Sequence, residues 1–127
     1  MNRIEVYNDI TKVLGRVPGF LKALPDESIE QEWELFKSVQ LNEGPIPAKY
    51  KHLIGVATAA ATHCKYCVYF HSEVARLHGA SDAEIEDAAH IAKNGTSWST
   101  YLHGIQSDFD EFKRDVNQVC YHIRNNL

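Results

Sequence analysis

The chain has 127 residues, 44% of them hydrophobic and 24% charged, with a formal net charge of −4. That length suits one domain with a real core, small enough that self-association adds useful burial. No Lys/Arg run exceeds the pair Lys113-Arg114, which excludes a nucleic-acid binder working by phosphate neutralisation.

Gly and Pro fall between segments, and strictly alternating β-branched runs are absent, so the pattern predicts an all-α chain of about six to seven helices. The start, Met1 to Glu5, has no apolar h-region, and no secretion is expected. A first helix is predicted from about Asn2 to Leu14, stopped by Gly15 and the Val17-Pro18-Gly19 turn. A short piece, Phe20 to Leu24, follows. Pro25-Asp26 then opens a long helix with Ile29, Trp33, Phe36 and Val39 at helical spacing, ended by the segment Asn42 to Pro47. Trp33 and Trp98 read as core or interface anchors.

Pro47 suits the first turn of the next helix. From Leu53 to Ala61 that helix is apolar nearly all round and rich in Gly and Ala, as a central, closely packed helix is. It falls far short of the roughly 20 apolar residues that span a bilayer. Another helix is predicted from Cys64 to His78, with Gly79 as its left-handed cap. Ser81 and Glu84 make a capping box for a helix running to Lys93, ended by Asn94-Gly95. Ser97 to Gln106 reads as a shorter helix. Asp108 to Arg124 closes the chain, its stripe of Phe109, Phe112, Val116, Val119 and Ile123 completing the core, with Cys120 as a packed helical cysteine. The organisation is thus one domain over 1–127: a helical arm 1–46, a core 47–93 and C-terminal helices 97–124.

Three cysteines, two of them in a C-x-x-C, do not resemble a secreted disulfide framework. With cytoplasm as the expected compartment, such a pair is catalytic or metal-binding. On a helix starting near Cys64, Cys67 is three residues on and His71 seven, so all three share one face. The Cα atoms of an i, i+3 pair lie about 5 Å apart, which permits a disulfide. A helix N-terminus at Thr62 or His63 favours thiolate at Cys64 and, less strongly, at Cys67. His71, one turn beyond Cys67, can take its proton and stabilise the sulfur anion. Two other readings stay open: half of a structural zinc site, and two inert packed cysteines.

The stretch from Lys49 to Ala92, through Thr62-His63-Cys64-Lys65-Tyr66-Cys67-Val68-Tyr69-Phe70-His71 and Gly79-Ala80-Ser81-Asp82-Ala83-Glu84-Ile85, resembles the AhpD-like alkylhydroperoxidase and carboxymuconolactone decarboxylase superfamily. Val17 to Leu24 is similar to the family's N-terminal arm. The resemblance implies an all-α AhpD-like helical bundle, assembled as a homo-oligomer, trimer or hexamer. It implies a peroxidase or disulfide reductase acting on a peroxide or disulfide substrate, without a cofactor. Cys67 is then the attacking thiolate, Cys64 resolves it as a disulfide, and His71 serves the proton relay. Electrons return from a thioredoxin- or lipoyl-type donor, and no nucleic acid or membrane is involved. True decarboxylases of the superfamily look different at the dithiol.

Two departures stand out. His52 occupies the position, twelve residues before Cys64, where the family pattern has glutamate, and Tyr66 stands where some members have histidine. In one unbroken helix His52 would lie about 18 Å from Cys64, so the chain must reverse near Thr62-His63 to bring it back. A neutral imidazole there accepts a proton but supplies no fixed negative charge for His71, so reduced or altered peroxidase activity is expected. The same substitution completes a possible Cys₂His₂ zinc set of His52, Cys64, Cys67 and His71. A structural oligomer that keeps the helices without the chemistry is the remaining alternative.

Overall fold

Seven α-helices and one π-helical turn, with no strand, make up the computed structural model, which describes all of Met1–Leu127. Helix α1 (Arg3–Leu14) starts at a capping box: the Asn2 side chain accepts the Glu5 N–H, and the Glu5 carboxylate accepts the Asn2 N–H. Gly15, at φ 80°, ends it in the left-handed conformation that glycine adopts without strain. A short α2 (Gly19–Lys22) and α3 (Ile29–Phe36) follow, and α3 widens into the π-helical turn Lys37–Leu41.

The packed heart of this arm is Val6, Ile10, Leu21, Ile29 and Trp33, all buried. Burying each large side chain is worth about 1.5–3 kcal/mol. The polar edge of Trp33 is satisfied: its Nε1–H donates to Asp9 at 2.7 Å, and Lys37 Nζ donates to the same carboxylate oxygen at 2.7 Å. Arg3 fastens the α2–α3 connection through Asp26 and the Leu24 carbonyl. Held this way, α3 presents Phe36, and the π turn presents Gln40, to the helices that follow.

Helix α4 (Ala48–Ala61) begins after Pro47, which caps it from outside the first helical turn. It packs against α5 (Lys65–Leu77), α6 (Asp82–Gly104) and the π turn, as a central helix does. Its buried residues are Ala48, His52, Val56 and Ala59. The chain reverses at Thr62-His63, with His63 at φ 58°, and returns as α5. Gly79, at φ 92°, follows α5, and the Ser81–Glu84 capping box opens α6 as the spacing requires.

Several expectations fail. Asn94-Gly95 does not end a helix and Ser97 does not start a separate shorter one, because α6 runs unbroken through both to Gly104. A single interior glycine costs only about 1 kcal/mol, and no proline removes a backbone donor. The stripe on α7 (Phe109–Asn125) completes no core: every residue from His103 to Leu127 is exposed, Phe109, Phe112, Val116, Val119 and Ile123 included. The helix itself is well specified, with Asp108 accepting the Asp110 and Glu111 amides. Phe109 and Phe112 border a groove with Ser99, Leu102 and His103 of α6, and no element packs extensively along the rest of that side. Cys120 on this helix is therefore exposed rather than packed; of the two tryptophans Trp33 is buried in the core, whereas Trp98 on α6 is exposed and is no core anchor.

Candidate active site

The reversal between α4 and α5 builds the site. Cys64 is the N-cap of α5, in extended conformation, and its Sγ accepts the Cys67 N–H at 3.1 Å. A sulfur in that place meets the unpaired amides and the positive end of the helix dipole, which favour a thiolate once the bond is reduced. Cys64 and Cys67 are joined as a disulfide, with Cα atoms 5.3 Å apart. Cys64 is half-buried and Cys67 exposed.

Cys67 and His71 line one cavity of about 870 Å³, with Phe20, Phe36, Tyr66 and Phe70 as its aromatic wall. Cys64 lines a shallower groove with Ala59, Ala60 and Val68. The helix α5 contributes Cys67, Phe70 and His71, while the N-terminal arm supplies Phe20 and Phe36. Phe70 packs at ring-centroid distances of 5.8 Å from Phe36 and 5.2 Å from His71. Tyr66 stands out into solvent beside the disulfide with the Lys65 ammonium over its ring at 5.4 Å.

His52, 1% exposed, comes back to the site because the chain reverses. Its Nδ1 lies 3.0 Å from Nδ1 of His71, and its Nε2 lies 2.8 Å from the backbone oxygen of Gln40. Burial lowers the pKa of both imidazoles below the ordinary 6.5, the bond to Gln40 opposing this at His52 and the proximity of His52 adding to it at His71. The pair is thus neutral near pH 7. Gly55, one turn beyond His52, makes the approach possible: a Cβ there would stand 2.6 Å from Cε1 of His71 and nearer still to its Cγ and Nδ1.

One histidine was not foreseen. His78 lies parallel to His52, with ring centroids 6.1 Å apart. It sits seven residues after His71, on the same face of the helix, and that spacing was the available signal. The Cys₂His₂ zinc arrangement is not assembled: no group of three or more His, Cys, Asp or Glu side chains is placed to hold a metal ion, the two histidines engaging each other instead. No helix is long and apolar enough to cross a membrane.

Residues 30–102 match the carboxymuconolactone decarboxylase family. A protein of Paracoccus denitrificans described as uncharacterized protein 4 in the cox locus is 30% identical over 76 residues, which are 60% of this chain and 68% of that one. The crystal structure of the alkylhydroperoxidase AhpD core from Rhodospirillum rubrum superposes with a TM-score of 0.74, over 85% of this chain and 82% of that chain, at 24% identity. A crystal structure from Methanobacterium thermoautotrophicum superposes with a TM-score of 0.60 at 30% identity, over 68% of this chain and 96% of that one.

Proposed function

The chain belongs to the carboxymuconolactone decarboxylase family with an AhpD-like fold, and on that premise we propose that Cys64 and Cys67 are a working dithiol that reduces a hydroperoxide or a disulfide. The observation that carries the reading is the closed Cys64–Cys67 pair at the head of α5, with Cys67 and His71 opening onto one aromatic-walled cavity.

In the reduced protein the Cys67 thiolate attacks the distal oxygen of a hydroperoxide. The O–O bond breaks, Cys67 becomes a sulfenic acid, and the alkoxide leaves as the alcohol after taking a proton. Cys64 then attacks the Cys67 sulfur, water departs, and the disulfide forms. The sum is one hydroperoxide and two thiols to one alcohol, one water and one disulfide. His71 takes the Cys67 proton before the attack and returns it to the leaving oxygen. His52 holds the His71 ring.

The two cysteines divide the work by position. Cys67 is exposed and borders the cavity, so oxidant and reductant both meet its sulfur. Cys64, stabilised by the cap amide, is the better leaving group when a donor thiolate attacks Cys67. A dithiol donor of thioredoxin or lipoyl type supplies the two electrons and two protons, in a reducing compartment such as cytoplasm.

Self-assembly is a second part of the proposal. The exposed area of 9424 Å² exceeds by about 2,600 Å² the roughly 6,800 Å² of a compact 14.4 kDa monomer. The excess is of the size that obligate oligomers bury, and the apolar side of α7 is where it is available. A homo-oligomer, trimer or hexamer, is the form we assign.

The test is mass spectrometry with cysteine alkylation. One equivalent of an alkyl hydroperoxide should link Cys64 to Cys67 and yield one equivalent of alcohol. A pair that stays reduced under excess hydroperoxide and under a small disulfide refutes the dithiol reading.

A further inference from the structure

The π-helical turn Lys37–Leu41 ends at Asn42, where the backbone turns extended and the Asn42 N–H closes on the Lys37 carbonyl. Carbonyls late in that turn therefore have no amide ahead of them along a helix. Two consecutive residues of α4 take them up. Lys51 Nζ donates to the carbonyls of Val39 and Asn42, at 3.0 and 3.1 Å, on either side of Gln40. His52 Nε2 meets the Gln40 carbonyl between them.

A carbonyl oxygen only accepts, so the hydrogen of that contact belongs to His52 Nε2. A neutral His52 then carries its lone pair at Nδ1. The 3.0 Å contact from Nδ1 to Nδ1 needs one hydrogen, and His71 must supply it. With Nδ1–H committed to His52, the lone pair of a neutral His71 is at Nε2. Every assignment in the series follows from one backbone oxygen. A carboxylate at position 52 would accept the His71 proton without this device, whereas an imidazole can face His71 in either tautomer.

We propose that the π turn, fastened by Lys51, is a positioning element that fixes the tautomers of both histidines and so makes Nε2 the proton-accepting atom of His71. The wider turn is what delivers the carbonyl: one residue fewer would rotate the following carbonyls by about 100°. The pair takes up one proton, at His71 Nε2, while His52 remains the neutral acceptor. The inference builds on the reading of His71 as proton acceptor for Cys67, but the protonation sites are a property of the resting protein.

The experiment is long-range ¹H–¹⁵N correlation of ¹⁵N-histidine-labelled full-length protein, oxidised and at pH 8, beside Lys51→Met and Lys51→Arg. The wild type should show His52 protonated at Nε2 and His71 at Nδ1. Lys51→Met should populate the opposite tautomers, and its rate of thiol oxidation by a hydroperoxide should fall by about two- to tenfold, tracking the remaining fraction of His71 with Nε2 free. Lys51→Arg, which keeps the donors, should restore both. His71 protonated at Nε2 in the wild type overturns the assignment, and unchanged tautomers in folded Lys51→Met overturn the fastening role. Predicted tautomers in a protein with no hydroperoxide or disulfide turnover would uphold this inference while refuting the proposed activity.

Discussion

Replacing Gly55 by alanine tests the site at its tightest point. The new Cβ would stand 2.6 Å from Cε1 of His71, whereas ordinary carbon contacts begin near 3.5 Å, so the ring must retreat by about 1 Å. The contact between His52 and His71, now 3.0 Å, would open toward 4 Å and cease to be a hydrogen bond. Crowding costs about 1–3 kcal/mol and the lost hydrogen bond about 1 kcal/mol, offset by about 1 kcal/mol of better helix propensity. The net loss, about 1–3 kcal/mol, lowers Tm by roughly 3–12 °C. The kinetic effect should be larger, since displacing a proton acceptor by about 1 Å costs on the order of 100-fold in rate. Stopped-flow oxidation of the reduced dithiol by a hydroperoxide, well below the melting transition, reads the rate. Wild-type kinetics in folded Gly55→Ala would refute the reasoning that His71 must sit against α4 to act.

Cys67→Ser should abolish hydroperoxide turnover, whereas Cys64→Ser should still react once and accumulate a sulfenic acid on Cys67, trapped by dimedone and read by mass. A Cys67→Ser variant that kept full turnover would refute the choice of nucleophile. Because burial lowers the folded pKa of His52 and His71 below 6.5, the unfolded chain binds protons first as pH falls. Their site is most stable above about pH 6.5, and stability declines below it toward the folded pKa values; denaturant titrations of wild type and His71→Gln should show a smaller loss in the variant between pH 7 and 5.5. Val116→Glu, on the apolar side of α7, should shift light-scattering mass from oligomer to monomer without loss of helicity. An unchanged mass would place the assembly surface elsewhere.

Much of this protein was legible as local chemistry. The asparagine and serine caps, the glycines after α1 and α5, and the C-x-x-C-x-x-x-H register act within a turn or two of chain, where helix geometry leaves few choices. Those signals set the all-α fold, the shared face of Cys67 and His71, and the need for a reversal at Thr62-His63; Cys64, just outside the helix as its extended cap, lines a different groove. The same local reasoning failed where the outcome depended on a distant partner. Gly95 carries a weak local penalty that the rest of α6 outweighs. The stripe on α7 is as apolar as a core helix, but periodicity says only that a face wants cover. Folding of one chain leaves that face bare, and the cysteine beside it with it.

The site divides along the same line. Residue spacing was enough to put two thiols and an imidazole at the head of one helix, and to show that His52 stands in place of an acid. Tertiary structure alone decided that His52 is buried against His71, with His78 beside it and a backbone oxygen of Gln40 at its other nitrogen. That last partner has no side-chain signature, because a carbonyl is common to every residue. Only the winding of a π turn and its packing on α4 select which one is presented.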